Sequence, residues 1–349
     1  MGNADRIRYL LTVPTTADVV RSLVFRAGPF FGLVTAWIAV AAVVLIPLGI
    51  WTPLVVVPVL AVGTAVAWRV ATAFEVPTAT EARHWVPWAH GFLALGFGLW
   101  SGLTHAENVV LRRDPGSYAL YAQWIATRHR LPISGDLGSF GGSAVLNIAG
   151  FTIGSPAYYQ ESVFGHTFII PQFLPGAPAW YSLGYWAAGW TGLFLVPAVL
   201  GAIGVLAVGG LASKLVGPRW ALLAAAAFGA AFPVMHVNRT TFSEPVSVLV
   251  IATVAVALIQ ATARSDPRMA QIAGLLLGLG LLVRIDSLTE ITLSVPVVAL
   301  AARSGFPARA FYRGLAWGSG IGIGGALLLS GPYLQANSSS ILHVLFTEP

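Results

Sequence analysis

The sequence predicts an all-α, polytopic membrane protein with about nine transmembrane helices and a large first outer loop. Three observations predict it. Of the 349 residues, 56% are hydrophobic and only 9% are Asp, Glu, Lys or Arg, where a soluble domain carries about a quarter charged residues. Apolar runs long enough to cross a bilayer, at ~20 residues per crossing, recur near 30–50, 52–69, 85–104, 179–213, 219–237, 245–263, 269–284, 287–302 and 311–331. The few charges collect mostly between these runs.

Residues 1–29 hold Asp5, Arg6, Arg8, Arg21 and Arg26 and no short apolar region with a cleavage site. They read as a cytoplasmic lead-in to an uncleaved first span. Three spans fill 30–104. Residues 105–178 make the extracytoplasmic loop, which is long for a connection without a role of its own. Its aromatic content argues for order, and its glycines and prolines for turns and short extended pieces. Six further spans fill 179–331, and 332–349 form an extracytoplasmic tail. The 179–213 run exceeds one upright crossing, so its start, "WYSLGYWAAGW", is expected outside the hydrocarbon with its aromatics at the interface.

With the N-terminus inside, thirteen Lys and Arg residues fall on cytoplasmic segments and six on outer ones, the direction of the positive-inside bias. The net charge of +6 is spread out and defines no nucleic-acid surface. The absence of cysteine excludes disulfides, thiol nucleophiles and Cys-held metals. Lys214 is the only lysine, a composition typical of a GC-rich bacterial genome and hence of a bacterial cytoplasmic membrane.

The six outer cations are Arg112, Arg113, Arg128, Arg130, Arg239 and Arg284. They lie in or beside three segments: the large loop, the connector "NRTTFSEP" at 238–245, and "VRIDS" at 283–287. Each segment also carries a carboxylate, Asp114, Glu244 or Asp286. Three connectors far apart in sequence can therefore meet on one external face.

In "RRDPGSY", Asp114 precedes Pro115, a favoured first helical residue, which makes it an N-cap candidate. Tyr118, Tyr121, Trp124 and Ile125 then recur at helical spacing. That pattern predicts a short helix lying in the outer interface. Asp114 either caps this helix and nothing more, or serves as a base whose charged form the helix dipole favours. Glu161 and His166 in the same loop can reach a site or simply be hydrogen-bonded loop residues. Arg239 and Glu244 can form a local ion pair, with Ser243 or Glu244 near the cap ahead of Pro245. Arg284 and Asp286 interrupt an almost continuous apolar run from 272 to 302, where ionisable residues are expensive and functional by default. No histidine pair has metal-ligand spacing on a helix, although a divalent cation held among Asp114, Glu244 and Asp286 is compatible with oxygen-only coordination.

The layout resembles the GT-C superfamily of membrane glycosyltransferases, and within it the protein O-mannosyltransferase and lipid A aminoarabinose transferase branch. The likeness rests on "RRDPGSYALYAQWI" in the loop, "FLPGAPAWYSLGYWAAG" where the chain re-enters the membrane, "SEP" and "VRID". It covers roughly residues 85–300. The resemblance implies sugar transfer from a polyprenyl-phosphate donor to a hydroxyl acceptor on a lipid, glycan or protein, with Asp114 as the catalytic base. On this reading Arg239 and Arg284 hold the donor phosphate, with Arg112 or Arg113 in reserve. Glu244, Asp286, Tyr118, Glu161 and His166 orient those groups or the acceptor. Two spans rather than one precede the span leading into the Asp114 loop, and relatives commonly have eleven or more spans. A fragment, a chain completed by a partner chain, and a degenerate member all fit that difference. A transporter or lipid exporter, and a non-catalytic subunit of an envelope assembly complex, are the alternative functional classes.

Overall fold

The computed structural model describes residues 15–111, 114–163, 166–336 and 338, and 74% of these described residues are helical. Among the described residues, five helices are long and apolar enough to cross a membrane. The first, α1 (Thr16–Leu45), starts well before the apolar run that announces it. Its start is set by a reciprocal cap in which Asp18 N donates to Thr15 Oγ1 at 3.3 Å and Thr15 N to the Asp18 carboxylate at 3.1 Å. Arg21 and Arg26 therefore lie on the first helix and not ahead of it.

Next come α2 (Pro53–Ala71), opened by a proline at its first position, and α3 (Trp85–Leu103). The short helix α4 (Asp114–Arg128) follows within the large loop. Farther along that loop, two short 3-10 turns accompany a three-stranded antiparallel sheet in the order β1 (Ile133–Ser134), β3 (His166–Pro171), β2 (Tyr158–Val163). These are the extended pieces that glycine and proline content predicts, and they add a small sheet to an otherwise helical chain.

Helix α5 (Gly176–Val216) is two helices joined at a break, where Ala188 and Gly189 leave helical geometry and Gly189 takes φ +61°. The break folds the first part back on the second. A Cβ added at Gly184 would sit 2.6 Å from the Gly192 carbonyl oxygen, so only glycine admits this approach. The first part is tied down through its polar handles. Trp180 Nε1 donates to Thr35 Oγ1 at 3.2 Å and Trp186 Nε1 to the Ala126 carbonyl at 2.9 Å. Ser182 Oγ accepts from Trp51 Nε1 at 3.0 Å, and Tyr181 Oη donates to the Phe242 carbonyl. Buried Tyr and Trp side chains need such partners. The aromatics of "WYSLGYW" lock a bend that the excess length of the run foreshadows.

The run expected as one span over 219–237 divides into α6 (Pro218–Ala230) and α7 (Phe232–Val237). Ala231 is extended between them and is the N-cap of α7, whose first turn holds Pro233, a residue tolerated there because the first-turn N–H has no helical partner. After it come α8 (Glu244–Arg264), α9 (Pro267–Leu279), α10 (Ser287–Ala301) and α11 (Ala308–Ala336). Helices α9 and α11 approach closely through glycines four residues apart, Gly274 and Gly278 facing Gly314, Gly318 and Gly322. Association inside a membrane depends on such small-residue seams. The core runs through α1, α5, α8, α9 and α11, with Trp51, Tyr121, Tyr181 and Phe311 fully buried within it.

The two ends of the bundle differ. At one, Glu75 pairs with Lys214 at 3.5 Å and with Arg264. Arg26 there donates to the carbonyls of Thr72 and Phe74 at 3.2 and 3.3 Å. This is the basic end. At the other, the connector before α2 meets the end of α4, where the Trp51 amide donates to the His129 carbonyl at 3.3 Å. The Ala106 amide donates to the Arg239 carbonyl at 2.8 Å at that same end. This is the site end.

Candidate functional site

At the site end lies a cavity of about 190 Å³ whose lining includes Asp114, Tyr118, Phe173, Ser243, Glu244, Arg284, Asp286 and Tyr333. Three connectors build it, as the three acid-plus-arginine segments predict.

Asp114 is exposed at the first turn of α4, and the residues after it are fixed from several sides. Thr241 Oγ1 donates to the Pro115 carbonyl at 2.5 Å, and Tyr158 Oη to the Ser117 carbonyl at 2.7 Å. Ser117 Oγ donates back to the Leu111 carbonyl at 2.9 Å. A Cβ at Gly116 would come within 2.8 Å of the Val110 carbonyl carbon, so the preceding strand of chain passes only because this residue is glycine. α4 does not lie on the surface with one wet face. Pro115 to Ala119 are all buried, as are Tyr121, Ala122 and Ile125, because the start of α5 and the sheet close over it.

Arg284 is the hub. Its Nε and Nη2 donate to Asp286 Oδ2 at 3.1 and 2.5 Å. Its Nη1 reaches Ser243 Oγ at 3.0 Å and Glu244 Oε1 at 2.6 Å. Four of the five N–H donors of a guanidinium are thereby used. Burial alone would lower the pKa of Arg284. The hydrogen bonds that Arg284 donates to Asp286 and the charges of Glu244 and Asp286 outweigh it and hold the group above the ordinary arginine value. The guanidinium stays cationic.

Tyr118 is buried, stacks on Phe173 at 4.1 Å between ring centres, and donates to Ser243 Oγ at 3.0 Å. Burial raises its pKa above the ordinary tyrosine value, against the smaller opposing pull of Ser243 and Arg284. It remains a neutral hydrogen-bond donor. Glu244 Oε2 is buried with no hydrogen-bond partner among the described residues.

Of the residues singled out from sequence, Asp114, Tyr118, Glu244, Arg284 and Asp286 share this cavity. Arg239 does not line it. Its Nε donates to the Thr104 carbonyl at 2.7 Å and its guanidinium lies over the Trp100 ring, 5.3 Å from the centroid. The backbone bond to Ala106 turns this residue towards the end of α3. Glu161, on β2 opposite Phe168, and His166, exposed at the start of β3, also lie apart from the cavity. The strand ladder holds both on the sheet. Arg112 and Arg113 lie outside the described residues. Among the described residues, no group of three or more His, Asp or Glu side chains is arranged to hold a metal ion, so the divalent cation compatible with the sequence has no ready-made cage there.

Ser243 and Phe173 are site residues that sequence reasoning passes over. A serine before Glu-Pro reads as a helix cap, yet Ser243 makes no side-chain cap bond and accepts from two distant partners instead.

Fold and site together define a mostly helical, membrane-embedded protein with a charged cavity at one end of its helix bundle. No protein-family model matches the chain, and neither a curated protein nor a solved structure matches it.

Proposed function

We propose that this protein is a membrane glycosyltransferase that moves a sugar from a polyprenyl-phosphate donor to a hydroxyl acceptor at the outer face of the cytoplasmic membrane. The observation that carries this reading is the shared cavity: a carboxylate at the start of a short helix and a fixed guanidinium line one space at one end of an apolar bundle.

The chain then crosses nine times with its N-terminus inside. Beside the five long helices, α3, α6 with α7, α9 and α10 each cross once. The charge distribution supports this sidedness. The basic end carries eleven lysines and arginines, from Arg21 to Arg313, against the four carboxylates Asp18, Glu75, Glu81 and Asp266, as expected for a cytoplasmic face.

In the reaction, the acceptor oxygen attacks the anomeric carbon while Asp114 takes the hydroxyl proton, a contribution of typically ~10²–10⁴-fold. The carbon–oxygen bond to phosphate breaks, the electron pair leaves with the phosphate oxygen, and the carbon is inverted. The leaving phosphate departs as an anion without protonation. It needs a cation, and Arg284 supplies one held in advance of reaction. Glu244 and Ser243 fix that arginine from inside. Asp286, more exposed at the edge, occupies the face of the fork that the phosphate takes over. The Oε2 of Glu244, without a hydrogen-bond partner among the described residues, is an acceptor ready for a sugar or acceptor hydroxyl.

A transporter tends to place its polar residues near the bilayer midplane, in broken helices. Here the ionisable groups of the cavity come from connectors at one end. Purified protein in liposomes with polyprenyl-phosphate sugars and a hydroxyl acceptor should release polyprenyl phosphate in a donor-dependent manner. Counterflow of substrate without such release would replace this reading with transport.

A further inference from the structure

Outside the cavity, a groove of about 390 Å³ runs between α3 and α6 over Val205 of α5. It is apolar, and Phe92 on its rim is 67% exposed, as expected for a surface facing lipid chains. On α3 the groove extends from Phe92 to Trp100, about 12 Å at ~1.5 Å per residue. Glycine makes it hollow: a Cβ at Gly96 would meet nothing within 4 Å.

The site-end limit of the groove is Trp100, and over that ring stands Arg239. This guanidinium is only partly exposed, and its Nε is fixed on the Thr104 carbonyl. Its Nη groups make no hydrogen bond or ion pair among the described residues. The neighbouring Glu107 carboxylate lies 3.6 Å from His105 Nε2. Arg239 thus offers open N–H donors where Arg284 has one left, and it does so at the level of an interfacial tryptophan. A half-buried cation with unsatisfied donors is costly, and a phosphate answers it bidentately.

From the groove and the open guanidinium at its rim together, we infer that this surface seats a phospholipid, one acyl chain in the α3–α6 groove and the phosphate on Arg239. The seat is separate from the cavity and holds whether or not the cavity transfers sugar. The lipid's phosphate completes the arginine, and its chain fills the space beside Gly96.

Native mass spectrometry of delipidated protein, titrated with phosphatidylglycerol and with a phosphate-free galactosyl diacylglycerol, tests the seat. The wild type should retain one phosphatidylglycerol about tenfold more tightly than the glycolipid, the scale of one charge-assisted contact. Arg239→Gln should erase that preference, Arg239→Lys should keep part of it, and Arg284→Gln should leave it intact. Gly96→Leu, which enters open space and so spares the fold, should weaken both lipids. Equal retention of the two lipids by wild type would mean non-selective annular lipid only. A preference that survives Arg239→Gln, or vanishes with Arg284→Gln, would equally overturn the inference.

Discussion

The Tyr118 hydroxyl and the Arg284 guanidinium meet on one acceptor, each donating to Ser243 Oγ at 3.0 Å. Through this oxygen the short helix that starts at Asp114 is tied to the connector that carries the site's cation. Ser243 and Tyr118 are both buried, so the Tyr118 hydroxyl cannot turn to water when the acceptor is lost. Ser243→Ala should therefore cost roughly 1–3 kcal/mol, the penalty of unsatisfied buried donors. Adding Tyr118→Phe removes one orphan, so the double variant should be more stable than the sum of the single losses. Thermal unfolding in detergent measures this. Strict additivity would mean that the two donors do not share the oxygen.

Asp114 is exposed, and among the described residues it makes no hydrogen bond or ion pair that the amide would lose. Asp114→Asn should leave the unfolding temperature within the small range of surface substitutions, about ±0.5 kcal/mol. Donor-dependent release of polyprenyl phosphate should fall by ~10²-fold or more as the base is lost. Full activity in a folded Asp114→Asn protein would exclude this residue as the base.

Arg284→Gln should raise the donor KM by about tenfold or more, since a charge-assisted hydrogen bond contributes roughly 1.5–3 kcal/mol. The same change leaves Glu244 without its counter-ion, so Arg284→Gln/Glu244→Gln should restore stability without restoring donor affinity. Arg128→Gln, whose guanidinium lies over Trp124, should leave the donor KM unchanged. Equal effects at 284 and 128 would remove the special role of Arg284.

Much of this site is legible from type and position alone. Charge is so scarce in an apolar chain that each arginine-plus-carboxylate pair stands out, and Asp114, Glu244, Arg284 and Asp286 do converge. The helix after Asp114 shows its spacing, and the bend at Gly189 shows in a run too long for one crossing. What sequence does not reveal are the partners. Arg239 is captured by a carbonyl at Thr104, and a backbone acceptor leaves no mark in side-chain identity. Ser243 is indistinguishable from a cap until Tyr118 and Arg284 arrive from 125 and 41 residues away. The sheet over 133–171 is short and weakly alternating, so its strands stay hidden among turn residues. The α9–α11 seam is written in glycines that also read as ordinary membrane filler.

That seam gives a test of the fold. A Cβ at Gly278 would come within 2.8 Å of Gly318 Cα, backbone that cannot yield without separating the helices. Gly278→Leu should lower stability by at least the roughly 1–3 kcal/mol typical of overpacking. Gly320→Leu is the control, because a Cβ at Gly320 meets nothing within 4 Å. Tryptophan fluorescence during thermal unfolding should separate the two. Identical unfolding temperatures would mean that α9 and α11 do not pack through this face.

The proposed chemistry requires that Asp114, Glu244 and Arg284 stand on the side of the membrane opposite Glu75 and Glu81. The chain has no cysteine, so single cysteines report position without background. Glu107 and Asp286 are well exposed at the site end, with side-chain exposures of 68% and 60%. Glu81 is exposed at the basic end. In intact cells a membrane-impermeant maleimide should label Glu107→Cys and Asp286→Cys but not Glu81→Cys, and permeabilisation should expose the last. Residues 107 and 286 bracket four proposed spans and nearly all of the large loop, so a single miscounted crossing between them would put them on opposite sides. Labelling of 107 without 286 would remove Arg284 from the face that holds Asp114. It would also contradict the cavity itself, because connectors on opposite faces of a bilayer cannot line one space.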